Sequence, residues 1–216
     1  MLKPKCKIII SRYNEDYSWI NKYTDNYLIY NKGEEINDSH IINVENIGEN
    51  QIDIFRFIYD NYESLPDIMI FIQAYPFDHC REDIFKELIK KDEFTVLEYQ
   101  GDAPANGYEQ RDVNGGYMEI NNSWYITSHN NTYNQTCKYS SFDEFMNKYF
   151  SNYTHIDWIR FAPGSQYLVT KSQVLNYSRN FWKTLKDELY LFSMTEGHII
   201  ERALYYILSG DYSARF

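Results

Sequence analysis

The chain has 216 residues, a net charge of −10, a pI near 5.0 and 18% aromatic residues, including 22 tyrosines. This length suffices for one domain with a sizeable core, and an acidic balance without a basic stripe argues against nucleic-acid binding through phosphate neutralisation. No apolar run approaches the ~20 residues of a membrane span and no signal-peptide pattern precedes the first strand, which predicts a soluble, cytoplasmic protein.

The first predicted element is a strand over residues 6–11, in which three consecutive isoleucines indicate burial on both faces of a parallel sheet. An abrupt polar cluster follows it. Because ligands bind at the carboxyl ends of strands in open α/β sheets, Arg12, Asn14 and Glu15 are candidate ligand contacts. The alternative is an ordinary strand-to-loop turn, since Asn and Asp are common turn residues.

Further apolar runs predict that strands and helices alternate. Strands are predicted at residues 27–31, 40–44 and 67–73, and the last of them carries a second fully apolar run. Between them, Ile52, Phe55 and Tyr59 repeat at helical spacing after a helix start at 46–50, and Pro66 stops the helix. These elements predict a single α/β domain over residues 1–216, with a mostly parallel central sheet flanked by helices.

The strand at 67–73 also ends in polar residues, from Gln73 to His79, and a helix is predicted at 81–91. Neighbouring strands of a parallel sheet bring their carboxyl ends together. We therefore expect Arg12, Asn14 and Glu15 to share one cleft with the loop after Gln73.

Residues 92 to about 150 lack a regular pattern and contain turn signals such as Asn-Gly-Gly. A long loop-rich insertion of this kind is usually functional, so it is predicted to form an acceptor-side wall or a lid. Strands near 158–169 are predicted to join the central sheet, at least one of them antiparallel. Two helices, at 172–189 and 195–209, are predicted after them.

Several short motifs form a series along nearly the whole chain, apart from residues 92–150. They are Ser11-Arg12-Tyr13-Asn14-Glu15-Asp16 with Trp19, Tyr30-Asn31-Lys32, Asn46-x-Gly48-Glu49, residues 60–67 with Phe71, the region of His79, residues 164–169, and His198-x-x-Glu201. The series resembles a family of uncharacterised, glycosyltransferase-like proteins of fungi, bacteria and large DNA viruses, related to the type-A glycosyltransferase fold. The abundance of Asn, Ile, Lys and Tyr is typical of an AT-rich genome.

The resemblance implies a nucleotide-diphospho-sugar transferase fold and a glycosyltransferase that moves a sugar from a nucleotide-sugar donor to a hydroxyl acceptor on a glycan or protein. If the protein is viral, it would act in the host cytoplasm. Arg12 is then predicted to pair with the diphosphate, and Asn14 and Glu15 to contact the base and the ribose. Further contacts to the nucleotide sugar are predicted at Asn46, Gly48 and Gln73, with Gly48 permitting a close approach of the backbone.

Members of the type-A class usually supply an Asp-x-Asp motif at the end of the fourth strand, because carboxylate oxygens suit manganese or magnesium. This sequence contains no Asp-x-Asp. The metal-capable pair at the equivalent place is Asp78-His79, which is the predicted site for a divalent metal. The alternative role for Asp78 is to cap the helix that begins near Arg81.

An inverting transferase also needs a general base for the acceptor hydroxyl. His198 and Glu201 lie three residues apart in the last predicted helix and share one face, away from its apolar stripe. They are the predicted catalytic residues, with Glu201 as the base. The alternatives for Glu201 are a solvated helix face or, in a retaining enzyme, a residue that positions the substrate.

Two other classes of function remain open. The first is a non-catalytic nucleotide- or sugar-binding protein on the same scaffold, which the missing Asp-x-Asp favours. The second is a metal-dependent hydrolase built on Asp78, His79, His198 and Glu201, which lacks a ligand spacing such as His-x-x-x-His.

Overall fold

The computed structural model describes residues 5–98, 109–111, 117–121 and 138–216, except for the side chains of residues 109–111 and 191–196. Its strands in chain order are β1 (Cys6–Arg12), β2 (Tyr27–Asn31), β3 (Ile41–Asn43), β4 (Ile68–Gln73), β5 (Thr95–Val96), β6 (Glu109–Arg111), β7 (Tyr117–Ile120), β8 (Trp158–Phe161) and β9 (Tyr167–Thr170). The helices are α1 (Gln51–Asp60), α2 (Glu82–Leu88), α3 (Phe142–Tyr149), α4 (Lys171–Val174) and α5 (Arg179–Ser209).

The fold is mixed α/β, with a six-stranded, mostly parallel central sheet in the order β3-β2-β1-β4-β9-β5. Strand β1 pairs in parallel with β2 and β4, and β2 pairs in parallel with β3. Strand β9 runs antiparallel to both β4 and β5. The predicted strands at 6–11, 27–31, 40–44 and 67–73 are confirmed, and so is the prediction that the two apolar runs share one sheet.

The two apolar strands are buried because helices cover both faces of the sheet. Ile8 and Ile10 of β1 pack with Phe85 of α2 in one core, whereas Ile9 packs in the other core with α1, α3 and α5. Alternation of side chains along a strand sends successive residues to opposite faces. An uninterrupted apolar run is therefore the pattern that a sheet covered on both faces requires.

Strand β8 does not join the central sheet, so that part of the prediction for residues 158–169 is wrong. It pairs antiparallel with β7, which also pairs with β6, in a three-stranded sheet. The partners of β8 come from within the insertion at 92–150, whose sequence showed no strand periodicity. The prediction that this insertion forms a wall or a lid falls largely on residues outside the described part of the chain.

The last two predicted helices are also corrected by the structure. Helix α4 spans only four residues, and α5 runs unbroken for 31 residues past the predicted break near residue 195. Gly197 lies inside α5 and faces the segment that leads into α1, where a Cβ would come within 3.3 Å of Cγ of Glu49. The glycine thus marks a close approach between two elements rather than a helix start. No helix in the described ranges is long and apolar enough to cross a membrane.

Candidate functional site

A cleft of about 370 Å³ opens at the carboxyl ends of β1 and β4. The register pairs Ser11 with Gln73, so the polar segments that follow these two strands meet at one edge of the sheet. The start of α1 and residues 197–201 of α5 form other walls of the cleft.

The structure brings together most of the residues that the sequence pointed to. The cleft is lined by Arg12, Glu15, Asn46, Gln73, His79, His198 and Glu201. Asn14, Gly48 and Asp78 lie beside it but are not among its lining residues. The predicted contacts of these three residues with a ligand stay predictions.

Arg12 is already held by its own loop. Its Nε donates a hydrogen bond to the carbonyl oxygen of Glu15 at 2.8 Å, and its Nη1 donates to Oδ1 of the buried Asn31 at 2.6 Å. The guanidinium also lies 5.3 Å from the centre of the Tyr17 ring. Arg12 therefore orders the loop after β1, and much of its hydrogen-bonding capacity is used within the chain.

Asn14 and Gly48 shape the walls of the cleft. Asn14 Oδ1 accepts a hydrogen bond from the N–H of Glu34 at 3.1 Å, which joins the loops after β1 and β2. Gly33 lies between these loops, where a Cβ would sit 1.7 Å from the carbonyl oxygen of Tyr13. Gly48 has a φ of +66° and lets the chain turn sharply into α1.

The two residues of the predicted metal site, Asp78 and His79, differ in their exposure to solvent. Asp78 is exposed, whereas His79 is half-buried and lines the cleft. Burial lowers the pKa of His79, which favours the neutral imidazole that binds metals. In the ranges that the structure describes, no three His, Cys, Asp or Glu side chains are placed to hold a metal ion. The Asp78-His79 pair can therefore supply at most two ligands, and a bound diphosphate and water would have to supply the rest.

The cleft also contains a buried ion pair that the sequence analysis did not single out. Lys32 follows β2, and its Nζ lies 2.9 Å from Oδ2 of Asp53 on α1, with side-chain exposures of 5% and 2%. Asp53 also accepts hydrogen bonds from Ser11 Oγ at 2.6 Å and from Arg56 Nη1 at 2.7 Å. Burial lowers the pKa of Lys32 and raises that of Asp53, and their pairing opposes both shifts. Lys32 Nζ also donates to the carbonyl oxygen of Glu49, which places the ammonium at the start of α1.

The turn between β8 and β9 connects three parts of the cleft. Gly164 and Ser165 both have left-handed φ values, +73° and +56°. The carbonyl oxygen of Gly164 accepts a hydrogen bond from Asn50 Nδ2 at 2.5 Å, and its N–H donates to Glu201 Oε1 at 2.9 Å. A Cβ at Gly164 would lie 2.6 Å from Cδ2 of His79. A single glycine thus contacts α1, α5 and the loop after β4.

Glu201 is a carboxylate with defined partners on the α5 wall. Its side chain is 17% exposed, and its Oε2 lies 3.1 Å from Nη1 of Arg202, whose Nε pairs with Glu119 at 2.9 Å. Burial raises the pKa of Glu201, while Arg202 and the N–H of Gly164 oppose that rise. His198 lies one turn earlier on α5 and lines the same cleft.

The cleft is lined by charges of both signs. Arg12, Glu15 and Lys32 lie at the ends of β1 and β2, Glu49 lies just before α1, and Glu201 lies on α5. Such a lining offers partners to a ligand that carries both anionic and hydroxyl groups, because cations attract anions and carboxylates accept hydrogen bonds from hydroxyls.

The comparisons with known proteins give a family but no activity. A family model described as a protein of unknown function, DUF3431, matches residues 8–214. The chain belongs to the DUF3431 family. No curated protein and no solved structure matches the chain. Every residue of the cleft falls within the range that the family model covers.

Within this DUF3431 region, the functional candidates that sequence reasoning missed are Lys32, Asp53 and Gln51. Lys32 ends the Tyr-Asn-Lys motif after β2, which is the same strand-end position that drew attention to Arg12. Asp53 stands between two isoleucines in the first turn of α1, where an acid surrounded by apolar residues signals a buried partner. No spacing rule links Lys32 to Asp53, because they lie on different elements.

Proposed function

We propose that this chain is a glycosyltransferase, with the arrangement of a type-A fold, that moves a sugar from a nucleotide-sugar donor to a hydroxyl acceptor. The observation that supports this most strongly is the position of Glu201. It is a largely buried carboxylate with a raised pKa, and it shares one cleft with the strand-end residues Arg12 and Gln73. A raised pKa brings a carboxylate closer to the basicity that proton abstraction near neutral pH needs.

In this proposal the acceptor hydroxyl oxygen attacks the anomeric carbon of the sugar. The bond from that carbon to the phosphate oxygen breaks, and its electron pair leaves with the nucleoside diphosphate. The proton of the acceptor hydroxyl passes to Glu201, and the single displacement inverts the anomeric configuration. His198, on the same helix face, orients the acceptor.

The other wall of the cleft would hold the sugar donor. Arg12, Glu15, Asn46 and Gln73 line it and offer both hydrogen-bond donors and acceptors to the nucleotide. Asp78 and His79 are the residues that would hold a manganese or magnesium ion, and such an ion would offset the negative charge of the diphosphate. Assays with Mn²⁺, with Mg²⁺ and with a chelator test this cofactor directly.

The deciding experiment compares Glu201→Gln with wild type, using a panel of nucleotide sugars. Turnover is expected to fall by ~10²–10⁴-fold while sugar-donor affinity changes little, because the amide keeps the shape but cannot take the proton. Glu87→Gln is the matched control, since Glu87 is 72% exposed on α2 and lies away from the cleft. Near-normal turnover of Glu201→Gln would remove this residue from the mechanism.

A non-catalytic binding protein is the second candidate, and one observation favours it. Both carboxylate oxygens of Glu201 already have partners, Gly164 N–H and Arg202, which oppose the rise in its pKa that burial causes. This alternative predicts that wild type binds nucleotide sugars but neither hydrolyses nor transfers them. Measuring binding and turnover on the same preparation separates the two candidates.

A further inference from the structure

Helix α1 begins at the cleft with unused backbone donors. It spans ten residues, and its N-cap residue Asn50 makes no side-chain capping bond, because its amide donates to Gly164 instead. The N–H groups of Asn50 and Gln51 have no acceptor among the residues that the structure describes. Free N–H groups and the helix dipole together favour an anion at such a position.

Gln51 provides a second and independent sign of a ligand. It is 4% exposed and lines the cleft, and its Nε2 donates to Ser165 Oγ at 3.0 Å. Its Oε1 has no hydrogen-bond partner within the described ranges. A buried acceptor without a partner is unfavourable, so a ligand that donates to Oε1 would restore the missing bond.

Lys32 supplies the positive charge at the same place. Its ammonium carries three N–H donors, of which the structure uses two, for Asp53 and for the carbonyl oxygen of Glu49. Asp53 offsets one of the two positive charges that Lys32 and Arg56 place beside it, so the three side chains together remain cationic. Since Lys32 is almost fully buried, solvent screens its attraction for an anion less than that of an exposed lysine. Arg12, by contrast, already donates hydrogen bonds from its Nε and Nη1 to Glu15 and Asn31.

We propose that Lys32, Asn50 and Gln51 form a subsite for the phosphate group of a phosphorylated sugar, with a sugar hydroxyl donating to Gln51 Oε1. The phosphate oxygens accept from the backbone N–H groups of Asn50 and Gln51 and from Lys32 Nζ. This inference rests on the proposed function, because it identifies the part of the sugar donor that the start of α1 holds. The sequence predicted Arg12 as the main contact to the anion, and we place that contact at the start of α1 instead.

The test is isothermal titration calorimetry at low ionic strength with inorganic pyrophosphate as the probe. Gln51→Glu, which puts a carboxylate where the anion binds, is expected to weaken pyrophosphate binding by at least about tenfold. Lys32→Met is expected to weaken it to a similar extent, and circular dichroism identifies a variant that fails to fold. Lys90→Met is the matched control, because Lys90 follows α2, is 63% exposed, pairs with Glu87 and does not line the cleft.

Two results would overturn the subsite: wild type that does not bind pyrophosphate, or a folded Gln51→Glu variant that binds it as wild type does. The hydroxyl contact has its own test. Wild type should bind glucose 1-phosphate more tightly than inorganic phosphate, and Gln51→Ala should remove that preference. Equal affinities in wild type would contradict the hydroxyl contact.

These results are separable from the proposed function. Binding of pyrophosphate that depends on Gln51 and Lys32, without turnover of any nucleotide sugar, would support the subsite and contradict the transferase. If wild type transfers sugar and Gln51→Glu leaves its affinity for pyrophosphate unchanged, the transferase would be supported and the subsite contradicted.

Discussion

Glu188 on α5 is a buried carboxylate outside the cleft, and four side chains hold it. Lys138 Nζ lies 2.6 Å from its Oε1, and Lys148 Nζ lies 3.4 Å from its Oε2. The hydroxyl groups of Tyr139 and Tyr149 each donate to it at 3.0 Å. This single residue thus joins α5 to α3 and to the segment that precedes α3.

Glu188→Gln is expected to lower the free energy of unfolding by about 1–3 kcal/mol, because two lysines lose their buried counter-charge and one amide cannot accept all four hydrogen bonds. Chemical denaturation measures the change. Asp187→Asn, at the neighbouring position, is the control. Because the Asp187 side chain is 47% exposed, this substitution should lower the free energy of unfolding by no more than about 0.5 kcal/mol. Equal effects of the two substitutions would contradict the role given to Glu188.

The same carboxylate predicts a pH dependence. Burial opposes ionisation of Glu188, but Lys138, Lys148 and Tyr139 outweigh it, and its pKa lies below the ordinary value of 4.5. A depressed folded-state pKa stabilises the protein above the unfolded-state pKa, and this stabilisation is lost as pH falls through the folded-state pKa. The stability gap between wild type and Glu188→Gln should therefore be full near neutral pH and shrink below about pH 4.5. A gap that stays constant down to acid pH would exclude this linkage.

At the residue scale, the sequence predicts well the side chains that directly follow an apolar strand. Arg12, Glu15 and Gln73 were found in this way, because strand ends in a parallel sheet share one edge. The position of Asp53 between two isoleucines signals a buried partner but does not identify it, because the contact with Lys32 is set by the pairing of β2 with β1 and the packing of α1. Buried partners depend on tertiary geometry, which local spacing does not encode.

The loops after β1 and β2 are packed so closely that the contact has room only for glycine. A Cβ at position 33 would lie 1.7 Å from a backbone carbonyl oxygen, which cannot move without shifting the loop. We expect Gly33→Ala to cost about 1–3 kcal/mol and to weaken ligand binding in the cleft, because the Tyr13–Glu15 turn would be displaced. Thermal unfolding and pyrophosphate titration measure the two effects.

Gly197→Ala is the matched control for stability. There the nearest atom to a new Cβ is a side-chain carbon at 3.3 Å, and alanine favours a helix over glycine by about 0.5–1 kcal/mol. Its stability should therefore stay within about 1 kcal/mol of wild type. A Gly33→Ala variant as stable as Gly197→Ala would show that the loop contact is not tight.

At the scale of elements, the strength of the periodic signal decided which predictions succeeded. The runs in β1 and β4 are apolar throughout, so both strands and their common sheet were predicted. Strand β8 was assigned to the wrong sheet because its partner β7 carries mixed residues, Tyr-Met-Glu-Ile, in an otherwise irregular segment. The sequence predicted a break between residues 189 and 195, whereas α5 runs without interruption through this stretch and through Gly197, which permits contact with Glu49.

Over the whole molecule, the layered architecture predicts an order of hydrogen exchange. Strand β1 is paired on both sides and covered on both faces, whereas β3 is an edge strand whose Ile42 is 45% exposed. Backbone amides of β1 and β4 should therefore exchange most slowly, and those of β3 much faster. Exchange measured by mass spectrometry tests this order. Equal protection of β3 and β1 would contradict the assigned strand order.

The hydrogen bonds of Gly164 have a consequence for the dimensions of any ligand. Its carbonyl oxygen holds Asn50 at the start of α1 and its N–H holds Glu201 on α5, so one residue sets the separation of the two walls. Both bonds use the backbone, and substitution of neighbouring side chains leaves the donor and acceptor in place. Gly164 therefore fixes the distance between the two walls of the cleft. A ligand that contacts both walls must match this distance in length, in addition to matching the charges of the cleft.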